Sequence, residues 1–149
     1  MKNTIPILAV IAVLLFLQSG CARVGINPES GSASPVVREL VQTTLSWNGE
    51  LLPGYPQGRP EVTILRISIP AGTRLETHSH PVINAGVLVK GELTVVTADG
   101  KTLHLKEGDP VCEVVNTWHY GINQGKIPAE IIVFYAGAVG MPITVAEPH

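Results

Sequence analysis

Charge is scarce in this chain. Of its 149 residues 15% are Asp, Glu, Lys or Arg, and the net charge is -2. Nucleic-acid binding draws on clustered Lys and Arg set against phosphate, and this balance leaves no footprint for it. Cysteine is nearly absent. Cys21 and Cys112 are too few for a disulfide framework. There is no internal repeat, no block of like charge and no convincing amphipathic helical period. A Ser-His-Asp pattern, a phosphate-cradling glycine loop and a dinucleotide fingerprint are missing as well, which removes the chemistry each would carry.

What is present points to β-structure. A 45% hydrophobic content argues against disorder, and the length suits one domain with a proper core. Fifteen glycines and twelve prolines punctuate the chain at short intervals. Between them lie segments rich in Val, Ile and Thr at 61–69, 86–97, 101–105, 110–115 and 129–137. Each is bounded by Gly, Pro or a pair such as Asp99-Gly100, as strands and hairpins are. VVRELVQTTLSW (36–47) is ambiguous by period, and its Thr-rich end favours a strand. Regular short strands of this kind make a sandwich or small barrel.

The N-terminus reads differently. Lys2, an apolar run from Ile5 to Leu17 and small residues before Cys21 describe a secretory signal over 1–20. The run is short for a membrane-spanning helix, although a retained anchor is the plain alternative. Leu17-Gln18-Ser19-Gly20-Cys21 resembles the bacterial lipoprotein cleavage box at Ser19, Gly20 and Cys21, with Gln18 where Leu is usual. That resemblance implies lipid on Cys21 and a periplasmic, membrane-tethered protein of the bacterial envelope, or else a secreted one. Residues 21–35 are small and polar and read as a flexible tether, with the folded domain over 36–149.

Histidine carries the chemistry. Of the five histidines, His78 and His80 stand one residue apart, and on a strand both would point to one face at a separation that a metal ion bridges. His119 follows later. His104, in a turn-flanked strand, and His149, the last residue, look like ordinary polar positions. Cys112 reads as a small buried residue, with a thiol ligand beside His119 as the lesser reading.

The spacing extends the pattern. Gly72, His78, His80 and Gly91 fall where the first cupin motif has Gly-x5-His-x-His-x3-Glu-x6-Gly. Gly108, His119 and Asn123 fall on the second, Gly-x5-Pro-x-Gly-x2-His-x3-Asn. The chain thus resembles a small single-domain cupin over most of residues 61–137. The resemblance implies an all-β jelly-roll barrel whose mouth holds a divalent transition metal on three histidines and one Glu. His78, His80 and His119 take the imidazole positions. Asn84 stands in the place of the Glu, and Val114 and Asn116 in the places of Pro and Gly. Glu76, two residues before His78, is a further candidate for the missing carboxylate, although it also reads as an exposed rim residue.

Three neutral imidazoles and an amide would leave a divalent charge uncompensated by protein, so an anionic partner is expected. Asn84, a weaker donor than carboxylate, would leave a coordination position open. The expected function is a metal-dependent enzyme of oxygenase type, using iron, manganese or zinc on a small anionic or enolic molecule. A hydrolase or isomerase using the metal as a Lewis acid, and a non-catalytic small-ligand or metal-binding module, are the alternatives. By analogy with small barrels that cover their open sheet edges, a homodimer is expected.

Overall fold

The computed structural model describes residues 34–148. The signal segment, Cys21, most of the tether and His149 lie outside the described residues. Among the described residues there is no α-helix, and none is therefore long and apolar enough to cross a membrane.

Nine strands follow in chain order: β1 (Pro60–Ile69), β2 (His78–Ser79), β3 (Ile83–Lys90), β4 (Glu92–Thr97), β5 (Thr102–Lys106), β6 (Pro110–Cys112), β7 (His119–Ile122), β8 (Ala129–Ala138) and β9 (Val145–Ala146). They form two antiparallel sheets, one ordered β1-β8-β3-β6 and the other β5-β4-β7-β2-β9. Alternation decides which side chains fill the space between the sheets. On β8, Ala129, Ile131, Val133 and Tyr135 are buried, while Glu130 is half-buried and Ile132 and Phe134 are exposed. On β4 the buried set is Leu93, Val95 and Thr97. Val82 and Leu88 are fully buried, and with Ile69, Leu105 and Val111 they complete the core.

Two turns explain how the strands reach the site. The apolar stretch 86–97 does not continue as one strand, because it breaks at Gly91, whose φ is 76°. A Cβ there would also lie 3.0 Å from the Pro128 carbonyl oxygen and 3.1 Å from Ala129 Cα. The position therefore needs glycine twice over, for its conformation and for its clearance. Before His119, Asn116 adopts φ 54°, a left-handed conformation that a short polar side chain tolerates. The turn that the motif builds with glycine is thus kept, and the Asn116 N–H donates to the His80 carbonyl (2.8 Å).

Residues 36–47 do not form the expected strand. Their hydrophobic side chains Val36, Val37, Leu40 and Val41 are exposed, and an extended segment with no partner strand gains too little burial to be held in a ladder. Pairing is confined to a Leu45–Leu51 bridge around a turn at Gly49. That turn brings Trp47 in to pack on the core, its backbone N–H donating to the Cys112 carbonyl at 2.9 Å.

Candidate metal centre

Register assembles three histidines. β2 pairs with β7 so that His78 lies opposite His119, and His80, two residues beyond His78, returns to the same face. One ring nitrogen from each imidazole can be chosen so that all three lie within 4.8 Å of one another. The ring centroids are 4.5–5.1 Å apart. His80 and His119 are buried and His78 is half-buried.

Each ring is oriented in the same way. His78 Nδ1 donates to the Glu76 carbonyl, His80 Nδ1 to the Ile143 carbonyl and His119 Nδ1 to the Thr117 carbonyl, each at 2.8 Å. A carbonyl oxygen accepts only from N–H, so all three Nδ1 atoms are protonated and all three Nε2 lone pairs are free. Fixing the tautomer through the distal nitrogen is how proteins prepare imidazoles for metal. Burial, the largest influence on each ring, pushes all three pKa values down, that of His80 to about 4. They are neutral at pH 7, as metal ligation requires.

The histidines line a cavity of about 390 Å³ between the sheets. Its other walls are mainly apolar, including Ile67, Leu75, Leu93, Val95 and Val133. Tyr135 packs edge-on to His80 with ring centroids 5.5 Å apart. Asn84 also lines the cavity; it is fully buried, its amide N–H donates weakly to the Val82 carbonyl (3.4 Å) and its Oδ1 has no partner. Glu76 is exposed and meets His78 through its main-chain carbonyl, while its carboxylate stays outside the convergent set. His104 is exposed and bonded to Thr94 Oγ1 (3.0 Å). Cys112 is buried, unpaired and outside the cavity. Tyr120, half-buried, lies under the Arg74 guanidinium at 3.7 Å, a packing role.

One acidic residue was not anticipated. Glu113, just after β6, is buried in the cavity wall, with Oε2 3.8 Å from His119 Nε2 and without a hydrogen-bond partner. Burial raises its pKa to about 7, opposed by the nearby His78 ring. The Trp47 indole N–H also favours its charged form, though Trp47 Nε1, like Glu113 Oε2, makes no hydrogen bond of regular geometry. A buried carboxyl thus stands beside the histidines in addition to the candidates Asn84 and Glu76. The signal lay in PVCEVV (110–115), where a lone Glu interrupts an apolar strand.

These shifts set a pH dependence for the metal-free protein. A histidine whose folded pKa is depressed contributes stability that is complete above the ordinary value of 6.5 and is lost as pH falls toward the folded value. Glu113 acts oppositely. Its raised pKa penalises the fold as pH climbs from the ordinary 4.5 to about 7. The shifts of His80 and Glu113 are of equal size and nearly offset each other. The depressed His78 and His119 therefore tip the balance, and the metal-free protein should melt at a lower temperature at pH 5 than at pH 7. A Tm at pH 5 equal to or above that at pH 7 would contradict the burial of the three rings.

Residues 65–135 match the family model described as Cupin domain. The barrel is a cupin fold. That match and the two-sheet architecture agree on the fold. Comparison with curated proteins finds no match. Among solved structures, the DMSP lyase DddQ from Ruegeria pomeroyi DSS-3 is similar at 20% identity and a TM-score of 0.51, over 57% of this chain and 42% of that one. Oxalate decarboxylase of Lactobacillus farciminis, in its formate complex, is similar at 20% identity and a TM-score of 0.50, over 57% of this chain and 26% of that one. At these identities the likeness is one of fold, and the cupin barrel here spans less than half of either chain.

Proposed function

We propose that this cupin binds a divalent iron, manganese or zinc ion on His78, His80 and His119 and acts through it, as an oxygenase-type enzyme, on a small anionic or enolic molecule. The observation that carries the reading is the shared tautomer. Three Nδ1–H groups bonded to backbone carbonyls at 2.8 Å leave the three Nε2 lone pairs free, on three rings whose ligand nitrogens can converge within 4.8 Å. When bound, the ion would supply Lewis acidity or redox chemistry and would keep positions that three imidazoles do not fill.

The chain's own residues supply the rest. Apolar walls exclude water and limit the ligand to a small molecule within the 390 Å³ cavity. Asn84, with its unpaired Oδ1, can orient a bound donor group. A divalent ion beside three neutral imidazoles and one carboxyl retains positive charge, which favours an anionic partner. Loading the protein with iron(II) or manganese(II) and adding small carboxylates and enols tests this. A perturbed metal spectrum with oxygen consumption supports the enzyme, and perturbation without turnover supports a non-catalytic binding module. No perturbation by any of them removes the small-anion reading.

Location and assembly belong to the same proposal. The lipoprotein-like box at Cys21 supports tethering in the bacterial envelope. The partner is a second copy of the chain. On the outer face of β1 and β8, Val62, Ile64, Ile132 and Phe134 are 59%, 64%, 38% and 42% exposed, with Ile64 directly opposite Phe134. An apolar sheet face at an edge strand is what a symmetric contact covers. Light scattering should give twice the chain mass, falling to the single mass in an Ile64→Glu/Phe134→Lys variant. A parent that is already monomeric at working concentration would refute the dimer.

A further inference from the structure

We propose that Glu113 is the carboxylate of this metal centre, taking from the neighbouring strand the role that the family motif gives to a Glu at position 84. The inference rests on the metal reading above and adds a residue that the motif does not supply. Position carries it first. Ala85 pairs with Cys112 in the ladder of β3 and β6, and the Glu113 N–H donates to the Asn84 carbonyl at 3.1 Å. Residues 84 and 113 are therefore cross-strand neighbours, and both side chains line the cavity that holds the histidines. A carboxylate lost from one strand is present one strand away, at the same level of the barrel.

The state of the side chain carries it second. Glu113 is 7% exposed and its Oε2 has no hydrogen-bond partner. A buried carboxylate oxygen left unpaired costs free energy that packing does not return. The flanking Cys112 and Val114 are apolar and buried, so a hydrophobic residue at 113 would suit this stretch better for stability alone. The unpaired oxygen faces the histidine cluster, 3.8 Å from His119 Nε2. Two ligands on one ion, each bonded at about 2.1 Å, sit no more than about 4.2 Å apart, so this spacing lies within what a single ion spans. Glu113 stands at the edge of the cluster: the three imidazoles form the convergent set without it, so its oxygen would have to move toward the other two rings to share their ion. One anionic oxygen there would halve the charge that a divalent ion brings among three neutral rings, whereas the amide of Asn84 would remove none.

Calorimetric titration with zinc(II) and manganese(II) of the parent, Glu113→Gln, Asn84→Glu and the double variant Asn84→Glu/Glu113→Gln tests the assignment. Glu113→Gln should weaken both ions at least ~10-fold, and the double variant should recover to within about threefold of the parent, because the carboxylate has been moved rather than lost. Without metal, Glu113→Gln should melt at or above the parent temperature. A merely structural role predicts the reverse, a lower melting temperature and no recovery from a carboxylate at 84. If Glu113→Gln does not fold, Glu113→Asp, which withdraws the charge by one methylene, should still bind more weakly than the parent. If Glu113→Gln binds like the parent while His119→Ala does not bind, the assignment is wrong and the three-histidine reading stands. If the parent binds neither ion, the metal reading itself falls.

Discussion

His119→Ala should lower affinity for zinc(II), manganese(II) and iron(II) by about 100-fold or more, while His104→Ala leaves it unchanged. His119 lies opposite His78 in the ladder and is among the least exposed polar residues, at 2%. Its Nδ1 is committed to the Thr117 carbonyl, so its Nε2 is free for a ligand. Removing it takes away one of three imidazole bonds, a larger loss than the ~10–100-fold seen when only an orienting partner is removed. His104 is exposed, is bonded to Thr94 and lies outside the convergent set. Both variants can be compared by calorimetric titration at one pH and ionic strength. Equal affinities across parent and variants would place the ion elsewhere.

Leu88→Ala should give the largest loss of stability among single core substitutions, about 2–5 kcal/mol. Leu88 is 0% exposed on β3, which lies between β8 and β6, and it pairs in register with Ile131. Truncation there removes about three methylene equivalents of buried surface and leaves a void that two hydrogen-bonded sheets cannot easily close. Domains of this size commonly hold only about 5–15 kcal/mol in total, so the variant should unfold at much lower denaturant. Val139→Ala is the control. Val139 is 60% exposed and lies outside the face offered for the dimer contact, and a surface change of this kind is worth about 0.5 kcal/mol or less. Comparable losses at the two positions would mean that the core does not lie between the sheets as described.

The sequence and the structure agree where local chemistry is decisive. The segments 61–69, 101–105 and 129–137 correspond closely to Pro60–Ile69, Thr102–Lys106 and Ala129–Ala138, because each runs between turn residues and alternates or is richly β-branched. His78 and His80 were legible as a one-face pair from strand period alone. The partnership with His119 came from the motif spacing and is realised by a ladder between β2 and β7. Strands of two residues, such as His78–Ser79 and Val145–Ala146, are too short for any period to register. Residues 36–47 misled because β-propensity reports fit to a half-buried sheet surface, and no sheet surface is offered to them. Glu113 stayed hidden for a related reason. Its closeness to Asn84 and His119 follows from cross-strand register, which a linear reading of spacing does not contain.

The central claim is that His78, His80 and His119 together hold one divalent ion, and metal analysis of the purified protein tests it most directly. After expression with its N-terminal segment intact and exhaustive dialysis, the parent should carry about one equivalent of iron, manganese or zinc per chain, and a His78→Ala/His119→Ala variant should carry none. A parent that retains no metal, even after loading with each of the three ions, would contradict the claim.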